Sequence, residues 1–236
     1  MATADPFRHE LKFLISPHQY LEMRHRLRHL LRRDPHAGPR GEYRITSLYF
    51  DDAADSALFE KLAGVQHRSK VRVRIYDGQE DVIMLEKKIK NGDGVRKERL
   101  QITRPLCDAL CAGDAQRLQD TGEALLTEIA WQMTNRLLRP RVIVDYVREA
   151  YIYPAGNVRI TFDKDLRSGM THLDLFRKAP YAPAPLDGQT ILEVKYDAFL
   201  PRPVQDLLQT DMLTRQSASK YVLCRTMART HLWEDQ

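Results

Sequence analysis

The sequence predicts an α+β domain built on a mainly antiparallel sheet or barrel, and three observations predict it. Eight segments carry strand periodicity, two of the links between them are short enough for hairpins, and helical patterns fall between and after the strands. The absence of regular strand–helix–strand alternation argues against a parallel sheet. At 236 residues the chain can bury one large core. No stretch has the composition of a linker, so residues 1–236 read as a single domain.

The first strand is "FRHELKFLI" from Phe7. Ser16 and Pro17 then supply a cap and a first-turn residue for a helix to Arg33, with Leu21, Leu27, Leu30 and Leu31 as its apolar stripe. His25 and His29 lie four apart on it, but without the glutamate of HExxH they read as a solvated face. The loop "HAGPRG" leads to "EYRITSLYFD" from Glu42 and "SKVRVRIYD" from Ser69. "GQE" joins the third strand to "DVIMLEKKIK" from Asp81, and "NGDG" joins that to "GVRKERLQIT" from Gly94. Cys107 and Cys111 share one face of a short helix; with Cys224 they make an odd set without CxxC, which argues against disulfides and zinc. A long helix is expected from about Thr121 to Leu138, stopped by Pro140. "RVIVDYVREAY" from Arg141, "NVRITFD" from Asn157 and, after the loop "KAPYAPAPLDG", "TILEVKYD" from Thr190 complete the strands. Two helical patterns, "RPVQDLLQTDM" and "SASKYVLCRTMARTHLW", form the tail.

Lys and Arg number 37 against 32 Asp and Glu, a net charge of +5, so any anionic partner must be met by local clustering. That clustering follows the strands. Lys70, Arg72, Arg74 and Tyr76 oppose Val71, Val73 and Ile75. Arg8, Glu10 and Lys12 share a face in the first strand, Glu86, Lys88 and Lys90 in the fourth, and Lys97, Arg99 and Gln101 in the fifth. The seventh sets Arg159, Thr161 and Asp163 together, and the eighth Glu193 and Lys195. Six of eight strands thus carry a charged face.

Two architectures fit. Either these faces look into open solvent, or the sheet closes and they line a channel. A channel needs an anionic occupant, because burying so many like charges without a counter-ion is costly. Cations outnumber Glu10, Glu86 and Glu193 on these faces, as a polyphosphate with a divalent metal requires.

The series "RHELK", "YRITSLYFD", "KVRVRIY", "LEKKIKNGDGVRKER", "VDYVREAY", "VRITFD", "ILEVKYD" and "SKY" resembles the VTC domain. This is the polyphosphate polymerase module of the triphosphate tunnel metalloenzyme superfamily, and the likeness runs from Phe7 to about Tyr221. The resemblance implies an eight-stranded closed antiparallel tunnel with a basic interior and helices outside. It implies transfer of the γ-phosphate of ATP to a growing polyphosphate chain, with Mn²⁺ or Mg²⁺. Arg72, Arg74, Lys88 and Arg159 would lie under the γ-phosphate, with Lys220 neutralising charge beside them. Lys12, Lys97, Arg99, Arg148, Lys195 and Ser219 would be further phosphate ligands, and Glu193 with Glu10 the metal carboxylates. Arg148 shares its alternation with Val144 and Tyr146, so the pattern alone does not put it inside.

Two departures bear on the branch. Where the hydrolase and cyclase branches resemble one another in ExExK, this chain has Arg8, Glu10 and Lys12, as in the polymerase branch. Where the family resembles a lysine three residues before that of "SKY", it has Ser217, with Arg215 as a substitute.

Three rival readings stand beside polymerisation: hydrolysis of tripolyphosphate or a nucleoside triphosphate, a binding module for polyphosphate or inositol polyphosphate, and nucleic-acid binding. The last lacks the aromatic residues that stack on single strands, since Tyr76 stands almost alone among the basic faces. "SASK" has neither SDN nor KTG beside it and reads as coincidence with the SxxK pattern. The N-terminus lacks a signal-peptide h-region and no window has the roughly 18 apolar residues of a membrane helix. A cytoplasmic chain is expected, any membrane partner being a separate polypeptide.

Overall fold

The structure, a computed structural model, describes residues 3–4, 8–92, 94–177, 180–209, 213–214 and 218–234. The expected substitution at Ser217 and Arg215 lies outside the described residues.

One antiparallel sheet holds every strand, in the order β1-β7-β6-β5-β4-β8-β9-β11-β2. Its eight long strands are β2 (His9–Ile15), β4 (Glu42–Asp51), β5 (Arg68–Tyr76), β6 (Ile83–Asn91), β7 (Gly94–Ile102), β8 (Arg139–Tyr153), β9 (Val158–Ser168) and β11 (Thr190–Tyr196). β1 (Thr3–Ala4), β3 (Arg32–Arg33) and β10 (Ala182–Pro183) are two-residue strands on its margins. The closed barrel expected from the sequence is not formed. The sheet is an open half-barrel, and its edges β2 and β7 meet at one bridge, where the backbones of Arg8 and Val95 exchange hydrogen bonds of 3.1 and 3.2 Å. Alternation fixes the face of each side chain, whereas closure depends on strand tilt and stagger, which it does not encode.

The helices are α1 (Pro17–Leu30), α2 (Ser56–Leu62), α3 (Arg104–Ala112), α4 (Ala115–Gln119), α5 (Ala124–Asn135), α6 (Arg202–Leu208) and α7 (Lys220–Glu234). Ser16 and Gln19 close a capping box on α1. α5 is shorter than expected: Pro140 stands inside β8, beside the register shift between Tyr49 and Phe50 of β4. The outer face is buried twice over. Val71, Val73, Ile83, Leu85, Leu100 and Ile102 pack with residues of α3, α4 and α5, and Phe13, Ile15, Ile160, Phe162 and Val194 pack with residues of α1 and α6.

α7 departs from the expectation that helices lie outside. Its Tyr221, Cys224 and Ala228 cluster with Tyr49, Val142, Val144, Leu166 and Ile191, which belong to the inner face. An apolar stretch of that face needs a cover, and α7 supplies it. This also explains Arg148. Val144 and Tyr146 read as an outer face because they are apolar, yet all three point inward, Tyr146 opposite Ile45 and Arg148 opposite Tyr43.

Candidate active site in a cationic tunnel

Cross-strand register assembles the inner face. Arg72 stands opposite Tyr49 and Glu86, Arg74 opposite Ser47, and Glu86 opposite Arg99. Lys12 faces Glu193, Glu10 faces Lys195, Lys195 faces Arg159, and Arg148 faces Asp163. Lys70, Lys88 and Lys97 form a row across β5, β6 and β7, each opposite the next. Like charges so placed repel, which marks the row as built for an anion.

Two cavities of about 500 and 660 Å³ occupy the concave side and share Glu10, Arg74, Lys97, Arg148 and Lys195, forming one passage. Lys12, Arg72, Lys88, Glu193, Ser219 and Lys220 line the first, so most of the residues expected from the sequence converge there. Arg99 and Arg159 line only the second. Arg159 therefore shares a cavity with Arg74 but not with Arg72 or Lys88, and it donates to Asp34 and to the Tyr43 hydroxyl.

Carboxylates are matched to cations at the passage's centre. Glu193 accepts from Lys12 at 2.8 Å and from Lys195 and Lys220 at 2.7 Å, with Arg148 at 3.7 Å. Burial alone would raise its pKa, but these cations more than offset it and hold the carboxyl well below the usual range. Glu10 accepts from Lys88 at 2.7 Å, and Glu86 from Arg72 Nε at 2.7 Å. Asp163 takes two hydrogen bonds from Arg148, at 2.6 and 2.8 Å.

Lys70 and Lys97 are different. Lys70 Nζ lies 4.4 Å above the Tyr221 ring and 3.5 Å from Ser219 Oγ. Burial, then Lys88, Lys61, Lys12 and Arg68, pull its pKa down to about 6. Burial pushes Lys97 well below the ordinary lysine range as well, Glu86 offsetting it in part while Lys195, Arg72 and Arg74 add to it. Burial lowers Lys195 to about 8 despite Glu193 and Glu10.

A divalent metal fits this donor set in one way. Among the described residues no three His, Cys, Asp or Glu side chains converge as a cage. Glu193 of β11 and Glu10 of β2, diagonal neighbours across the register that pairs Glu193 with Lys12 and Lys195 with Glu10, offer two carboxylates within the cationic lining. That suits an ion of Mg²⁺ type shared with phosphate oxygens, which commonly takes one or two carboxylates and completes its shell from substrate.

Lys61 and Arg68 line the first cavity without any mark in the sequence, and Lys70 and Lys90, which the alternation puts on the charged faces with Arg72 and Lys88, join them there although neither was expected among the site residues. Lys61 comes from α2, a helix with no signal in the strand pattern. Asp34, the partner of Arg159, follows β3 and carries no local mark of its role.

The family model described as the VTC domain matches residues 7–229. Among solved structures, an adenylyl cyclase candidate from Hippeastrum described by its dominant triphosphatase activity is 16% identical, covers 93% of this chain and 96% of its own, and superimposes with a TM-score of 0.56. An adenylate cyclase candidate from Bacillus halodurans is 12% identical over 92% of this chain and 95% of its own, with a TM-score of 0.52. At these identities the likeness is one of fold. No curated protein matches the sequence significantly.

Proposed function

The chain belongs to the VTC domain family, and from that premise we propose that it transfers the γ-phosphate of ATP to the end of a polyphosphate chain inside the cationic passage. The observation that carries this reading is the inner face itself, where Lys70, Lys88 and Lys97 stand in one row beside Arg72 and Arg74. Such a lining is complementary to a polyanion and to little else.

Phosphoryl transfer needs alignment and charge neutralisation more than covalent help. Arg74 is buried and Arg72 partly so, and both are oriented, Arg72 by Glu86 and Tyr49, Arg74 by Ser47 and Tyr146. Held in that way, they present guanidinium donors to equatorial oxygens without reorganisation. A terminal phosphate oxygen of the acceptor attacks the γ-phosphorus, and the bond to the β–γ bridging oxygen breaks with its electron pair left on ADP. The acceptor oxygen is already ionised, so no general base is required. Lys88, Lys97 and Lys220 neutralise the attacking and leaving phosphates, and Lys12, Arg148, Lys195 and Ser219 hold the remainder. A Mg²⁺ or Mn²⁺ ion held by Glu193 and Glu10 would supply further neutralisation of phosphate charge.

Hydrolysis is the second reading, favoured by the exposure of Asp77, Gln79 and Asp81 at the rim of the second cavity, where water has access to the same phosphates. Incubation with ATP and Mn²⁺, with and without pyrophosphate as primer, separates the two. Polymerisation gives lengthening chains with one ADP per phosphate added, slowed roughly 10²-fold in Arg74→Ala. Free phosphate without chains would replace the polymerase reading by a hydrolase, and binding of polyphosphate without turnover by a sensor. Among the described residues no helix is long and apolar enough to cross a membrane. A cytoplasmic location, with any membrane partner on another polypeptide, belongs to the same proposal.

A further inference from the structure

The lysines of the first cavity differ in their partners. Lys12, Lys88, Lys195 and Lys220 each donate to a carboxylate at 2.7 or 2.8 Å, and between them they occupy both carboxylates that line it, Glu10 and Glu193. Lys70 donates to neither. Its Nζ lies 4.4 Å above the Tyr221 ring and 3.5 Å from Ser219 Oγ. Asp51, on the neighbouring strand β4, is taken up by the Tyr221 hydroxyl and by the N–H groups of Ala57 and Leu58.

The charged groups around Lys70 are cations: Lys88 opposite it on β6, Lys61 from α2, Lys12 from β2 and Arg68 on its own strand. Protonation of the amine is therefore penalised twice, by desolvation and by like charge, and its pKa falls to about 6. At pH 7 an ordinary lysine carries a free lone pair in fewer than about one copy in a thousand. Lys70 carries one in most copies. The same four cations offer donors to phosphate oxygens, so a phosphate compound is drawn to a place where a neutral amine faces the cavity.

We propose that Lys70 is a self-acylation site, at which an acyl phosphate bound in the first cavity passes its acyl group to Nζ. This rests on the reading of the lining as a phosphate site and adds to it a covalent modification. The Nζ lone pair attacks the carbonyl carbon, and the bond from that carbon to the phosphate oxygen breaks with its electron pair left on inorganic phosphate. Nζ gives its extra proton to the departing phosphate, and a neutral amide remains. Lys12, Lys61, Lys88 and Arg68 hold the phosphate, so Lys70 is not needed as its counter-ion. The amide stands in the row formed with Lys88 and Lys97, adds bulk there, and no longer takes up a proton when a polyanion arrives. Acylation thus weakens polyanion binding.

The test treats the full chain with acetyl phosphate and follows acetylation of each lysine by peptide mass spectrometry, with Nα-acetyl-lysine amide added as a standard. At pH 7 Lys70 is expected to react at least about tenfold faster than the standard, at a rate that levels off above about pH 7 while that of the standard keeps rising. Tripolyphosphate is expected to suppress the reaction at Lys70 and not at Lys87, which pairs with Glu128 of α5. Protein acetylated at Lys70 is expected to bind tripolyphosphate about tenfold more weakly, as loss of one charge-assisted contact does. Preferential reaction at Lys97 or Lys195, a rate at Lys70 no greater than that of the standard, or no suppression by bound tripolyphosphate overturns the inference while leaving the phosphate site standing. Failure of the unaltered protein to bind tripolyphosphate overturns the phosphate reading and the inference with it.

Discussion

Lys70 lies half-buried in the passage near four other cations, and desolvation together with their charge brings its pKa from 10.5 to about 6. The unfolded chain keeps an ordinary lysine there. Between the two values the unfolded state therefore holds more protons than the folded one, and stability rises with pH. Lys195, at about 8, adds in the same sense over a narrower window. Melting temperatures measured without ligand should climb between about pH 6 and about pH 10, and Lys70→Met should raise the value at the acid end more than at the alkaline end. Equal shifts at both ends would show that Lys70 is not a buried titrating cation. Arg74 gives a second test at this scale. Arg74→Ala should lower kcat by roughly 10²-fold if the guanidinium acts on the transition state, and a change confined to KM would assign it to ground-state binding. The alternation "SKVRVRIY" already put Lys70, Arg72 and Arg74 on one face. It did not show that Arg72 has Glu86 as partner while Lys70 has a tyrosine ring, because partners come from neighbouring strands.

Strands and helices divide the work between shape and charge. α3, α4 and α5 cover the outer face, and Ile129 of α5 is fully buried among them. Ile129→Ala should cost about 2–5 kcal/mol in denaturant unfolding and leave tripolyphosphate affinity unchanged. α7 covers the inner face and carries Lys220 at its first turn, where Lys220 donates to Glu193 at 2.7 Å. Ala228→Leu overfills that contact, so it should cost about 1–3 kcal/mol and also weaken tripolyphosphate, since the helix that moves brings Lys220 with it. Loss of affinity in Ile129→Ala, or its retention in a folded Ala228→Leu, would contradict this division. The apolar pattern of α7 was legible, but which face of the sheet it covers was not. A helix buried against either face shows the same stripe.

At the scale of the molecule, an excess of buried cation is a stability cost that an anion removes. Tripolyphosphate at a hundredfold over its Kd should add about 2.7 kcal/mol to stability by mass action, measured as a rise in melting temperature. Affinity should fall as salt is raised, because Lys61 and Lys90, which line the first cavity, are partly solvent-accessible and therefore screened. A rise that persists undiminished in high salt would place the ligand elsewhere than the cationic passage.

Sequence by itself determined the strands, the two hairpins and the charged face of six strands, with Lys12, Arg72, Arg74, Lys88 and Glu193 on those faces, because side-chain direction along a strand repeats every two residues. Tertiary structure alone decided that the sheet stays open between β2 and β7, that α7 lies within its curve, that Arg159 turns to Asp34, and that the two cavities differ in lining. Those features depend on curvature, stagger and contacts between residues far apart in the chain, and no local period carries them.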